Sequence, residues 1–219
     1  MKAMNRISAA KLCRFLAAGL SLMVLCGCSA LRLGATPHPA FYSLEGVQST
    51  ATATATAAAA APTLIINPPR AAAGFDSPRI IYVREAHKLE YFAHSEWVDP
   101  PARMLAPLLV AAVENTGTFR AVVLTPSAAA GDLRLDTEII RLQHEFQTQP
   151  SRVHFTLRAY LVDDRTRRVL AWREFDATVP AASEDPYGGV VAANRAVQVV
   201  LGNLSAFCTE AARSAQLEK

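Results

Sequence analysis

The sequence predicts an α+β class: a single domain with a mostly antiparallel sheet of six or seven strands and two main helices packed on one face. Three observations predict it. Apolar and polar residues alternate with a period of two over Leu133–Ile139 and again over Val153–Leu161. Apolar residues recur at helical spacing over Met104–Val113 and over Val190–Cys208. A charged turn, Asp163 to Arg168, separates two apolar runs and makes them an antiparallel hairpin.

Residues 1–27 have the layout of a signal peptide. Lys2, Arg6, Lys11 and Arg14 precede the apolar run Phe15–Leu25 without an acid among them. The run is about half the ~20 residues that a spanning helix needs. Leu25-Cys26-Gly27-Cys28 then resembles a bacterial lipobox, which makes Cys28 the lipid-attachment residue. The alternative is an ordinary leader cut for soluble export. Cys26 is a poor rival to Cys28, because Leu25 would stand just before the cut where a small residue is wanted. Ser29 follows Cys28 in place of the Asp that retains enterobacterial lipoproteins in the inner membrane, so the outer membrane is the expected location.

Residues 28–40, with Gly34, Pro37 and Pro39, read as a tether. The domain is expected over 41–212, with 213–219 as a tail. Phe41–Leu44 is a short strand candidate, and the Thr/Ala tract 49–61 has so little to bury that it reads as a mobile loop. A polyalanine helix is the alternative there, weakened by the threonines and stopped by Pro62. Leu64-Ile65-Ile66 reads as a buried strand stopped by Pro68-Pro69, and Ile80–Val83 as an interior strand with Leu89–Phe92 returning beside it. Asp99-Pro100-Pro101 opens the first helix with Asp99 as its N-cap, and Gly117 ends it. Pro107 should kink that helix or delay its start. In the last strand the apolar phase runs Leu170, Trp172, then Phe175, Ala177 and Val179, so a bulge is expected near Arg173-Glu174. Asp185-Pro186 starts the closing helix.

The charge and the cysteines narrow the class of function. With the four leader cations removed, 22 − 4 = 18 basic residues face 19 acidic ones. Near neutrality gives no electrostatic case for nucleic acid or for anionic headgroups. Beyond Cys28 the only cysteine is Cys208, on the apolar helical stripe, so no intramolecular disulfide or multi-cysteine metal site can be built.

Catalytic signatures are absent. Gly188-Gly189 lacks the Lys-Ser/Thr of a phosphate loop, and no Gly-x-Ser-x-Gly elbow or His-Glu-x-x-His helix occurs. His144 and His154 could face each other across a hairpin, as a pair of solvated strand residues or, at most, a metal pair. Glu184-Asp185 fits placement at a helix N-terminus. No enzyme activity, cofactor or metal is therefore expected. The segment Leu89–Trp97 holds three aromatics within Tyr91–Trp97, in a chain that is 7% aromatic. Phe92 and Trp97 could be core with Tyr91 covering an edge. The other reading makes Tyr91 and Trp97 anchors of a partner-binding lip.

An ordered set of segments carries a family resemblance: Arg79-Ile80-Ile81-Tyr82-Val83-Arg84, Leu89-Glu90-Tyr91-Phe92 with Trp97, Pro101-Ala102-Arg103-Met104-Leu105, Asp132-Leu133-Arg134-Leu135 and Val191-Ala192-Ala193-Asn194. Together they resemble the ABC-type transport auxiliary lipoprotein family, which includes the lipoprotein subunit of the paraquat-inducible MCE lipid-transport system. The resemblance covers about 41–212. It implies a non-enzymatic accessory protein on the outer membrane, held by acyl chains and facing the periplasm, whose partner is a periplasmic MCE protein. A lipoprotein that activates a periplasmic cell-wall enzyme is the alternative. The oligomeric state is left open, a homo-oligomer included.

Overall fold

Alternation over a long stretch gives a strand one apolar face, one charged face and two long edges to pair, and the sheet is built around the longest such stretch. Residues 38–46 and 61–217 are described in the computed structural model of the chain. The signal peptide, Cys28, most of the tether and residues 49–60 of the Thr/Ala tract lie outside them. In chain order the elements are β1 (Ala40–Tyr42), β2 (Thr63–Ile66), β3 (Arg70–Ala71), β4 (Arg79–Val83), β5 (Glu90–Trp97), α1 (Pro101–Glu114), β6 (Ala121–Leu124), β7 (Leu133–Glu145), β8 (Arg152–Asp163), β9 (Val169–Pro180) and α2 (Pro186–Leu217). All belong to the unit Pro39–Lys219.

β8 covers one edge of β7, antiparallel from Leu133↔Asp163 to Glu145↔Arg152. Along the other edge β2, β3 and β4 follow one another in chain order, each parallel to β7, with Leu64↔Leu133, Arg70↔Glu138 and Tyr82↔His144. β9 extends the sheet antiparallel beyond β8, β6 lies parallel beyond β2, and β5 and then β1 lie beyond β4. The result is a mixed, open, nine-stranded sheet whose long pairings are antiparallel. The two strands beyond expectation include β3 and β6, two and four residues long, too short to show a period.

The inner face of β8 (Val153, Phe155, Leu157, Ala159, Leu161) packs with the α2 stripe Val190, Val197, Val200, Leu201, Leu204, Phe207 and Cys208, all buried as the helical spacing predicts. The Phe175 and Phe207 rings meet edge to face at 5.6 Å. Burial pushes the Cys208 thiol up to about 12. Thiol-directed reagents should therefore leave the native domain unlabelled at neutral pH and modify Cys208 only once urea unfolds it, as mass spectrometry would show.

Three local expectations change. Asp99 does not cap α1: Pro100 holds that position without a side-chain hydrogen bond, and the Asp99 carboxylate instead pairs with Arg103 at 2.7 Å. α1 starts at Pro101 with Pro107 inside it, so its start is not delayed. It ends at Asn115, after which Gly117, at φ 62°, sends its N–H to the Glu114 carbonyl. In β9 the register runs unbroken through Arg173 and Glu174, and the irregularity lies at Leu170, between the pairs Leu161↔Ala171 and Val162↔Val169. Trp172 consequently points away from the helices.

At the head of α2 the Gly188 N–H donates to Asp185 Oδ1 at 2.7 Å, so Asp185 caps this helix. α2 continues to Leu217, through part of the stretch expected as a tail. Asn194 ties the entering chain to it: the Glu45 N–H donates to Asn194 Oδ1 at 2.6 Å, and Asn194 Nδ2 donates to the Ser43 carbonyl at 3.2 Å. Replacing Asn194 by Ala should cost about 0.5–1.5 kcal/mol, read by urea unfolding, because it removes hydrogen bonds to two exposed backbone groups that water can then satisfy.

Candidate functional site

Tyr91 and Trp97 stand six residues apart on β5, which would put them on one face of a regular strand. β5 is not regular. Arg79 pairs with Glu96 and Ile81 with Tyr91, so the stretch Phe92–Ser95 is bent out opposite Ile80. Trp97 is 3% exposed and belongs to the core, whereas Tyr91 is 41% exposed. The lip is thus corrected: burial removes Trp97 from any surface, and Tyr91 remains. The Arg79 guanidinium lies over the exposed Tyr91 ring, 4.7 Å from its centre, a cation–π contact that favours this position of the ring.

A second aromatic surface escaped the sequence reading. Trp172, 61% exposed, stacks on Tyr160 with ring centroids 6.3 Å apart and 27° between planes. The pair stands on the face of the sheet that carries no helix. Around it run charged ladders: Arg158 with Glu138 and Glu174, and Arg134 with Asp136 and Asp164. The signal that could have found Trp172 was its register with Tyr160, since the two are direct cross-strand partners.

His144 and His154 do not come together. Gln143 is the partner of His154 and Val153 that of His144, so the two rings point to opposite faces. His154 lies on the charged face, 2.7 Å from Asp176. His144 is buried, and it shares a 2.8 Å hydrogen bond with the equally buried Ser151 hydroxyl. The Ser151 N–H donates to Glu184 Oε1 at 2.8 Å, and the Ala181 N–H donates to the Ser151 carbonyl. Histidine beside serine is the outline of a base and a nucleophile. Here the pair is sealed in, next to a cavity of about 10 Å³, and it fastens the β7–β8 turn to the head of α2.

Burial pushes the His144 imidazole below its ordinary 6.5, against the opposing pull of Glu184 and Asp185. The unfolded chain therefore takes up this proton first, so stability is full above about pH 6.5 and falls as pH drops toward the folded value. The Glu145 carboxyl is also lowered: burial alone would raise it, but Gln143 and Arg152 donate to it. That contribution holds above the ordinary 4.5 and is lost as the pH falls further. Urea midpoints should thus decline in two stages on acidification, and His144→Gln should abolish the slope of the first.

Among the described residues, the larger spaces are grooves open to solvent, of about 180 to 470 Å³. No three His, Cys, Asp or Glu side chains among these residues gather where a metal ion could sit. What the fold presents is a filled core, a charged sheet face and exposed aromatic rings.

Such a domain is an α+β unit of one open mixed sheet with two helices on one face, and the comparison with known families supplies its class. The chain belongs to the ABC-type transport auxiliary lipoprotein component family, whose model matches residues 42–204. No curated protein matches it. Among solved structures it is similar to a Xanthomonas campestris protein, at 23% identity and a TM-score of 0.71, over 81% of this chain and 98% of that one. It is also similar to an uncharacterized protein at 12% identity and a TM-score of 0.58, over 79% of this chain and 97% of that one. At these identities the likeness establishes the fold.

Proposed function

We propose that the protein is the lipid-anchored accessory subunit of an MCE-type lipid transport system, set on the inner leaflet of the outer membrane and acting in the periplasm by binding, without catalysis. The family match over residues 42–204 carries the reading, since it joins a lipoprotein to an ABC transporter. The filled core supports the manner of action. A site for a lipid-sized ligand calls for roughly 300–1,000 Å³ of largely enclosed, apolar space; among the described residues the spaces of that size are open grooves, and the one beside His144 is about 10 Å³. On this reading the lipid passes along other subunits, and this one holds a periplasmic MCE protein.

Tyr91, backed by Arg79, is the contact we assign to that partner, because Tyr and Arg dominate binding energy where they become desolvated. Tyr91→Ala should weaken capture of the MCE protein by about 1–2 kcal/mol and leave the fold intact, since the ring is largely at the surface. Trp172→Ala in parallel tests the other aromatic surface. A folded Tyr91→Ala variant that captures the partner as well as wild type removes Tyr91 from the interface. Capture of a periplasmic cell-wall enzyme in place of the MCE protein would establish the activator reading instead.

A further inference from the structure

The chain enters the domain at β1, beside the head of α2, and the two enclose a groove of about 470 Å³ lined by Phe41, Tyr42, Tyr187, Val191, Arg195 and Gln198. Phe41 is 59% exposed and Tyr187 63%, although both are large rings. The exposed side of α2 is also unusual for a helix facing water. Between Asp185 and Glu210 its single charged residue is Arg195, whereas solvent faces of helices are ordinarily rich in charge. The groove is held in shape by Asn194, which binds Ser43 and Glu45 and so keeps Phe41 beside Tyr187.

We propose that this groove seats the domain on the lipid bilayer that anchors it, with Phe41 and Tyr187 entering the headgroup region; the inference rests on the lipid anchor proposed above. Chain length argues for this occupant. Cys28 precedes Ala40 by 12 residues (40 − 28), so the groove stays within about 40 Å of the acyl chains even at full extension. At that confinement the bilayer is present at high effective concentration, and a small patch suffices. Its chemistry suits an interface: aromatic rings settle at headgroup depth, and an arginine there keeps its charge in water while its stem lies on apolar surface. With Glu45 and Arg195 both on the groove its charge cancels, so the docking needs no anionic lipid and resists salt.

The test uses the lipidated protein in phosphatidylcholine vesicles that carry a nitroxide quencher near the headgroup. Phe41→Trp is made in a Trp172→Phe background, which leaves Trp97 as a buried reference, and Trp172 of the wild-type protein reports the far face of the sheet. Flotation with the vesicles checks the anchor separately. The expected result is about twofold or greater quenching of the introduced indole, little for Trp172, no change in 0.5 M salt (on the order of a 4 Å screening length), and relief of the quenching by Tyr187→Ser. Floating protein whose introduced indole is unquenched, or is quenched no more than Trp172, overturns the docking and leaves the anchor intact. Protein that does not float overturns the anchor itself and the docking with it.

Discussion

Cys28→Ala is expected to yield a chain that takes up no fatty acid, while the wild type is labelled. The substitution removes the single thiol at the end of Leu25-Cys26-Gly27-Cys28, and Cys208 cannot replace it because it is buried in the core with its thiol pushed up to about 12. Each buried methylene of an acyl chain contributes about 0.8 kcal/mol, so losing the chains moves the protein from stable to negligible membrane residence. The patch of Phe41 and Tyr187 is too small to hold the protein without the tether, and α2, although long and apolar enough to cross a membrane by composition, has half of its most apolar window buried within the domain. Metabolic labelling with a fatty-acid probe decides the matter. Equal label on mutant and wild type would refute Cys28 as the attachment residue.

Gly188→Ala is expected to be the most damaging single-methyl change in the described domain. A β-carbon there would overlap the Ser183 carbonyl oxygen and lie 2.8 Å from the Ser183 nitrogen. Both are backbone atoms of the turn that leads into the Asp185 cap, so no side-chain rotation relieves the contact. Overpacking of this kind costs about 3 kcal/mol, or roughly 6–12 °C in Tm for a domain of this size. Gly189→Ala meets His144 Nδ1 at 2.5 Å and should behave similarly, since that ring is held by Ser151 and lies 4.1 Å from the Phe146 ring, tilted by 37°. A thermal melt of Gly188→Ala within 2 °C of wild type (about 1 kcal/mol or less) would contradict this account of the turn.

That glycine pair shows where sequence reading stops. Gly188-Gly189 was legible only as a phosphate loop that lacks its lysine, because the reason for Gly188 lies in the backbone of Ser183 and that for Gly189 in His144, more than 40 residues away (189 − 144 = 45). What one segment determines by itself was readable: the alternation of β7 and β8, the charged turn into β9, and the α2 stripe ending at Phe207 and Cys208. What depends on pairing was not. The period of β9 is the same whether the slip is at Leu170 or at Arg173-Glu174, and only the match Tyr160↔Trp172 turns Trp172 outward. Likewise, the bend that separates exposed Tyr91 from buried Trp97 exists because β4 offers one residue, Ile80, opposite Phe92–Ser95. Half of the expected lip was therefore a core residue, and the exposed tryptophan, Trp172, lay elsewhere.

The central claim is that this domain acts by holding a partner of an MCE-type transporter. The direct measurement is a pull-down from solubilised envelope with the wild-type protein, Tyr91→Ala and Trp172→Ala, circular dichroism confirming that each is folded. The account predicts that the wild type retains the MCE protein and that folded Tyr91→Ala retains about tenfold less, the equivalent of 1–2 kcal/mol. A folded wild-type protein that captures no MCE protein would contradict it.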